Sequence, residues 1–159
     1  MPVNPVGYKA MRLSLARGIL NVAYYTVAKA QMSMANEGGA LKDHVPSQPG
    51  EPPAVETGHL RRSLHAIGFL DGKPIGGPEL LGHPPNVAGG TAKVEMPVPD
   101  YEGDIPDIGS IAGTNCGYGL PLEVGTEHMA PRPFMTPAAM DAQSRAGELI
   151  KAGASHGQS

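Results

Sequence analysis

The 159-residue chain has one cysteine, no tryptophan, two phenylalanines and five tyrosines. A lone Cys116 excludes an intrachain disulfide and a cysteine-rich zinc site, and it fits a reducing compartment. With so few aromatics, the core has to rest on aliphatic, alanine and methionine side chains. No apolar run approaches the roughly 18 residues of a membrane-spanning helix. The N-terminus lacks a basic flank followed by an apolar block, so no signal peptide is expected. Charged residues make up only 17% of the chain and the net charge is −3, which speaks against the clustered positive face of a nucleic-acid binder. The starting expectation is a soluble cytoplasmic protein.

Glycine and proline are abundant instead, at 22 and 17 residues, about a quarter of the chain. Apolar residues reach 40%, too many for wholesale disorder. All but eight of the glycines and prolines lie between residues 37 and 133. The chain therefore reads as a helix, a loop-rich middle with short strands, and a second helix.

The first helix is expected from about Pro5 to Ala35, with Asn4 as cap and Pro5 at the first helical position. Tyr8, Met11, Leu15, Ile19, Val22 and Thr26 recur at three- and four-residue steps, flanked by Leu20, Ala23 and Val27, and define its expected apolar stripe. About 30 residues make a helix of about 45 Å, longer than a small domain needs. Residues 40–56, with four prolines, are expected to form an extended mobile loop. Thr57 caps a short turn through Arg62. Leu64–Leu70 reads as a strand with apolar residues on both faces. Ala92, Val94, Met96 and Val98 alternate as a half-buried strand, and Ser110–Thr114 forms a further short one. Tyr118–Val124 has the strongest alternation and is expected as a strand. Pro97 and Pro121 place their strands at sheet edges or at bulges. Thr136 and Pro137 open the last helix, Gly153 ends it, and residues 154–159 fray. These readings give an α+β fold, with two helices packed on a small, mostly antiparallel sheet. A single domain spans residues 1–153, with flexible loops at 40–56 and 71–108.

Enzyme signatures are absent: the chain has no Walker A loop, no GxGxxG opening a helix, no HExxH and no GxSxG elbow. Glu127–His128 is a carboxylate–histidine neighbour pair between strand and helix, and a solvated pair at a turn explains it. Asp100, Glu102, Asp104 and Asp107 invite a calcium-loop reading, but Pro106 breaks the spacing and no closing glutamate follows. Nothing in the sequence near Cys116 activates its thiol. Arg61 and Arg62 form a small basic patch.

Two blocks carry a resemblance. The first is Thr57-Gly-His-Leu-Arg61-Arg62-Ser-Leu64, following a proline-rich loop. The second is Tyr118-Gly-Leu-Pro-Leu-Glu123-Val-Gly125-Thr126, followed by Ala130-Pro-Arg132-Pro133-Phe134-Met-Thr-Pro-Ala138. Together, in this order and after a long helix, they resemble the tail-completion (neck) proteins of long-tailed bacteriophages, of the minor-tail, tail-terminator type. Gly119 stands where those proteins usually have alanine, and residues 71–108 are longer and richer in glycine and proline than in that pattern.

The resemblance implies a structural virion protein without catalysis, cofactor or metal. It implies a ring-forming subunit, commonly a hexamer, at the head-proximal end of the tail. Such a ring ends tail growth and joins the tube to the neck, with DNA only in transit through its lumen. The implied partners are the tail tube protein and the stopper or adaptor of the neck; no membrane is involved. The implied location is the virion neck, and the host cytoplasm during assembly. An adaptor or stopper is the nearest alternative, and a small metal-dependent hydrolase centred on Glu127–His128 and the acidic loop is the alternative from another class.

Within these blocks, Glu123 is expected to point away from the core and to pair with Arg132, or with Arg61 or Arg62 of a neighbour. Gly125 permits a turn with positive φ. Thr126 bonds locally, Pro131 and Pro133 stiffen the chain around Arg132, and Phe134 anchors the last helix. Tyr118 opens the block. The overlong helix and the proline-bearing edge strands are expected to make the ring contacts, and the two long loops to order on docking.

Overall fold

One long helix organises everything else. In the computed structural model, which describes residues 5–34, 47–54, 58–76 and 106–155, α1 runs over Pro5–Ser33. It is followed by α2 (His59–Ser63), β1 (Leu64–Leu70), β2 (Lys73–Pro74), β3 (Ile108–Thr114), α3 (Gly119–Val124), α4 (Met135–Ser144) and α5 (Ala146–Ser155). At 1.5 Å per residue α1 is roughly 43 Å long. The fold is α+β.

The sheet has the order β2-β1-β3 and is antiparallel throughout. Leu64 pairs with Thr114 and Leu70 with Ile108, so β1 and β3 are in register along their full length. Asp71 and Gly72, with φ of 54° and 69°, make the tight turn into β2. Both residues have positive φ, as a two-residue hairpin turn requires, and Asp-Gly is the sequence signal for it. β1 is buried on both faces. Leu64 and Ala66 join the core beneath α1, while His65, Ile67 and Phe69 are buried on the other side. Ser110 of β3 fastens that strand to α1 by donating to the Ile19 carbonyl at 3.1 Å.

The face of α1 that meets the sheet is centred on the flank of the expected stripe, at Leu20, Ala23 and Val27, rather than on the stripe itself. On this face Ala16, Leu20, Ala23, Val27 and Ala30 are buried, with Met34 just beyond the helix end. Tyr8, Met11 and Leu15 are instead exposed, at 46%, 59% and 42%. The two stripes have the same three-and-four spacing, so periodicity alone does not choose between them. Shape decides: three alanines and one valine let sheet and helix approach closely, whereas the larger stripe would hold them apart.

The last helix is two helices rather than one. It breaks at Arg145, whose N–H turns back to the carbonyls of Ala142 and Gln143. α4 and α5 together run antiparallel to α1. Tyr25 and Lys29 meet Asp141 of α4, Asn21 donates to the Leu149 carbonyl at 2.8 Å, and Ser14 to that of Ala154 at 3.0 Å. Gly153 does not end the helix. It lies at the crossing with α1, where a Cβ would come within 2.6 Å of the Asn21 Cβ. Gly18 is its counterpart, with a would-be Cβ 2.5 Å from the Ile150 carbonyl oxygen. Side-chain-free positions on both helices set this close contact. Residues 154 and 155, expected to fray, continue α5.

Residues 108–114 and 64–70 are strands as expected, β3 starting two residues earlier. The expected strand at 92–98, with Pro97, and the expected caps Asn4 and Thr57 lie outside the described residues; Gly58 stands at the N-cap of α2. Of the loop at 40–56, the described part turns at Gln48–Glu51 and is tied down by the Gly50 N–H donating to the Pro131 carbonyl at 2.9 Å. Pro53 is buried.

Candidate functional site

The segment from Tyr118 to Thr136 is an elbow, and its first limb is helical. Tyr118–Val124 was expected as a strand; Gly119–Val124 forms α3. The alternating residues Tyr118/Leu122 and Leu120/Val124 are also four apart, which suits a helix equally well. Pro121 tips the balance: it stands in the first turn, where a helix needs no N–H from it, whereas a ladder would lose a hydrogen bond. Pro121 therefore stands in a helix and not on an edge strand. Gly119 is buried, and an added Cβ would meet the Thr114 side chain at 2.7 Å.

Gly125 ends α3 with φ 79°, donating to the Pro121 carbonyl at 2.9 Å. Any side chain there would also press on the Met129 carbonyl and the Pro131 nitrogen, both 2.9 Å away. Thr126 and Met129 then close a tight turn, the Thr126 N–H donating at 2.8 Å and the Met129 N–H returning at 3.3 Å. Val124–Pro131 line an open depression of about 480 Å³ that contains the exposed Glu127 and His128. The chain returns along α3, where the Arg132 N–H donates to the Leu122 carbonyl at 2.7 Å.

Glu123 locks the elbow. Its carboxylate accepts N–H bonds from Phe134 (2.9 Å), Met135 (2.9 Å) and Thr136 (2.8 Å), all at the N-terminus of α4. These are helix N–H groups without partners of their own, and a negative charge there also opposes the positive end of the helix dipole. Partial burial works to raise the carboxyl pKa. The hydrogen bonds from Phe134, Thr136 and Met135 outweigh it and hold the group below its ordinary value. Glu123 thus caps the helix, a role expected of Thr136. Its expected pairing with Arg132 is not among the ion pairs of the described residues, because the carboxylate is spent on the backbone.

The elbow brings Glu123, Gly125, Thr126, Arg132, Pro133 and Phe134 together. Phe134 is 1% exposed and enters the core with Val27, Ala30, Met34 and Leu60. Pro133 and Arg132 are half-buried. Arg61 and Arg62 sit apart on α2, where the Arg61 carbonyl accepts from Gln31 at 3.1 Å. Tyr118 is exposed at the N-cap of α3, its ring 6.2 Å from that of His59.

Two charge clusters escaped the sequence reading. Arg12 bonds Asp71 and, at 2.9 Å, Asp107, while the Asp71 N–H donates to the Asp107 carbonyl at 2.7 Å. This clamp joins α1 to the two chain segments flanking β1 and β3. Asp107 is the only member of the supposed acidic calcium loop among the described residues, and Arg12 holds it. The guanidinium pKa is raised by its bonds to Tyr8 and Asp107. The second cluster centres on Asp141, which accepts from Tyr25 at 2.7 Å and pairs with Lys29 at 3.2 Å and Arg145 at 3.5 Å. The Tyr25 hydrogen bond, then that of Lys29, lowers the Asp141 pKa. Spacings of four residues (Tyr25–Lys29, Asp141–Arg145) were the available signal, but each gives only half of the cluster.

Among the described residues no group of three or more potential metal ligands converges, and no helix is long and apolar enough to cross a membrane. Comparison with protein-family models, with curated proteins and with solved structures finds no match for this chain.

Proposed function

We propose that this chain is a structural assembly subunit of a phage-like tail. In this reading it is a single domain over residues 1–153 that forms a ring, commonly a hexamer, and completes the tail tube at the neck. The two resembling blocks suggest the class. The observation that carries the reading is the bare face of α1, where Tyr8, Met11 and Leu15 stand in a row and exposed. Scattered surface hydrophobes are ordinary, but a row of large ones along a helix marks a place for another chain. In this reading the elbow is scaffolding: Glu123 and Phe134 fix the terminal helices against α1, and the protein needs no cofactor. Its partners are further copies, the tube protein and the neck proteins.

Electron microscopy of tails assembled with and without the protein tests this. The expected result is overlong or ragged tails without it, and a six-fold ring at the head-proximal end with it. Uniform tails of normal length in its absence would refute the terminator role, and twelve-fold density would assign an adaptor instead.

A further inference from the structure

β3 lies at one edge of the sheet, and the register fixes which of its backbone groups face outward. The Asp71 N–H donates to the Asp107 carbonyl at 2.7 Å, and these two residues continue the β1–β3 register one step past Leu70 and Ile108. Hydrogen-bonded pairs alternate along an antiparallel ladder, so Gly109, Ile111 and Gly113 are the β3 residues bonded to β1. The Gly68 carbonyl fits this phase, since it accepts from Ile75 at 2.8 Å on the other side of β1. The N–H and C=O groups of Ile108, Ser110, Ala112 and Thr114 therefore point outward. Among the described residues they have no backbone partner. β3 is uncharged and free of proline, so nothing in its own sequence guards this edge. The opposite edge is guarded, because β2 is two residues long and ends in Pro74. The side chains of the same four β3 residues face α1: Ser110 bonds the Ile19 carbonyl and Ala112 packs on the core. A strand that fits here carries its apolar residues in the phase that pairs with β3, because residues directly opposite share a face.

We infer that residues 92–98 of the same chain are this strand, antiparallel to β3, with Val98 opposite Ile108 and Ala92 opposite Thr114. They lie outside the described residues, and their sequence selects them. The stretch has the same length as β3, seven residues. In this register Ala92, Val94, Met96 and Val98 bond to β3 and face α1 beside the half-buried Ile19. Lys93, Glu95 and Pro97 fall in the other phase. The N–H that Pro97 lacks then belongs to the outer edge, where no bond is lost. A slip of one residue would put Pro97 in the ladder and turn the apolar side chains away from α1. The connections have the length required. Residues 99–107, with Gly103 at their centre, join Val98 to Ile108 as a hairpin loop. Residues 77–91 reach about 50 Å when extended and have to cross three strand spacings, about 14 Å, from β2 to the outer side of β3. A second copy of β3 fits less well, since it brings Ser110 and Thr114 to the apolar side. With Pro74 at one edge and Pro97 at the other, the sheet does not extend into a neighbour, and contacts with other chains fall to helical faces.

Amide exchange of the full chain, followed residue by residue by NMR, tests this. In the wild type all seven β3 amides are expected to exchange slowly, the four outward ones included. Val94→Pro puts a proline in the pairing phase and should speed exchange at Ser110 and Ala112 about a hundredfold. Gly109, Ile111 and Gly113 should stay slow in that variant, which shows that the fold is intact. Glu95→Pro, in the outward phase, should leave every β3 amide as slow as in the wild type. Fast exchange at Ile108, Ser110, Ala112 and Thr114 of the wild type would overturn the inference, and so would unchanged protection in Val94→Pro. Protection of these four that grows with protein concentration would also overturn it, by assigning the strand to another copy.

Discussion

The two halves of α1 carry the same kind of apolar stripe and meet different fates. In the C-terminal half the stripe runs under α4: Thr26 is buried, Val22 is half-buried, and Tyr25 and Lys29 close on Asp141. In the N-terminal half the same line of positions, Tyr8, Met11 and Leu15, faces out. The cause lies in the partner rather than in α1. At Arg145 the terminal helix breaks, and α5 moves round to the face of Ser14, Gly18 and Asn21. A helix pattern thus says which faces can be buried, and the reach of the remaining chain decides which one is.

That contrast can be broken from the covered side first. Phe134→Ala removes the aromatic that holds α4 against the C-terminal half, and about 3–5 kcal/mol of stability should go with it in urea melts. Next, Gly153→Val places a branched side chain where even a Cβ is 2.6 Å from Asn21. A loss of about 2–3 kcal/mol is expected from that overpacking, with α5 lifting off α1. Proteolysis that releases the C-terminal helix faster than in the wild type would report the same event.

Glu123→Gln comes third, at about 1–2 kcal/mol near neutral pH, because the amide keeps an acceptor but loses the charge at the α4 N-terminus. The sign with pH follows from the lowered pKa of the folded state. The wild-type advantage is complete above the ordinary glutamate value of about 4.3 and is lost as pH falls through the lower folded value. Melting curves of both proteins should therefore converge in acid, and an advantage that grew on acidification would contradict the capping role. Smallest of all, Met11→Ser and Leu15→Ser should change the stability of the isolated subunit by no more than about 0.5 kcal/mol. A larger loss would mean that this half of α1 is covered after all.

The legible parts of the fold were those fixed by local pattern. The length of α1 and the strand at Leu64–Leu70 follow from run length, caps and composition, and both are present. The face of α1 was legible only in part: Leu20, Ala23 and Val27 flank the expected stripe, but Ala16 and Ala30 add little hydrophobicity and act through their smallness. Leu120, Leu122 and Val124 fit two periods at once, so the short helix there depended on Pro121 and on the Gly125 turn. Gly153 looks like a helix stop because glycine usually is one; only the crossing with Gly18 explains it. The elbow residues were recognisable as a motif, but the job of Glu123 was not. Its partners are backbone amides eleven to thirteen residues away, and no side-chain pattern announces them.

Hydroxyl-radical footprinting of the methionines offers the most direct test of the bare half of α1. Met11, Met32 and Met140 are similarly exposed in the single subunit, at 59%, 67% and 65%. Compared between dilute subunit and assembled particles, Met11 should become protected while Met32 and Met140 continue to oxidise. Oxidation of Met11 that is as fast in the assembled particle as in the free subunit would contradict a role for this face in assembly.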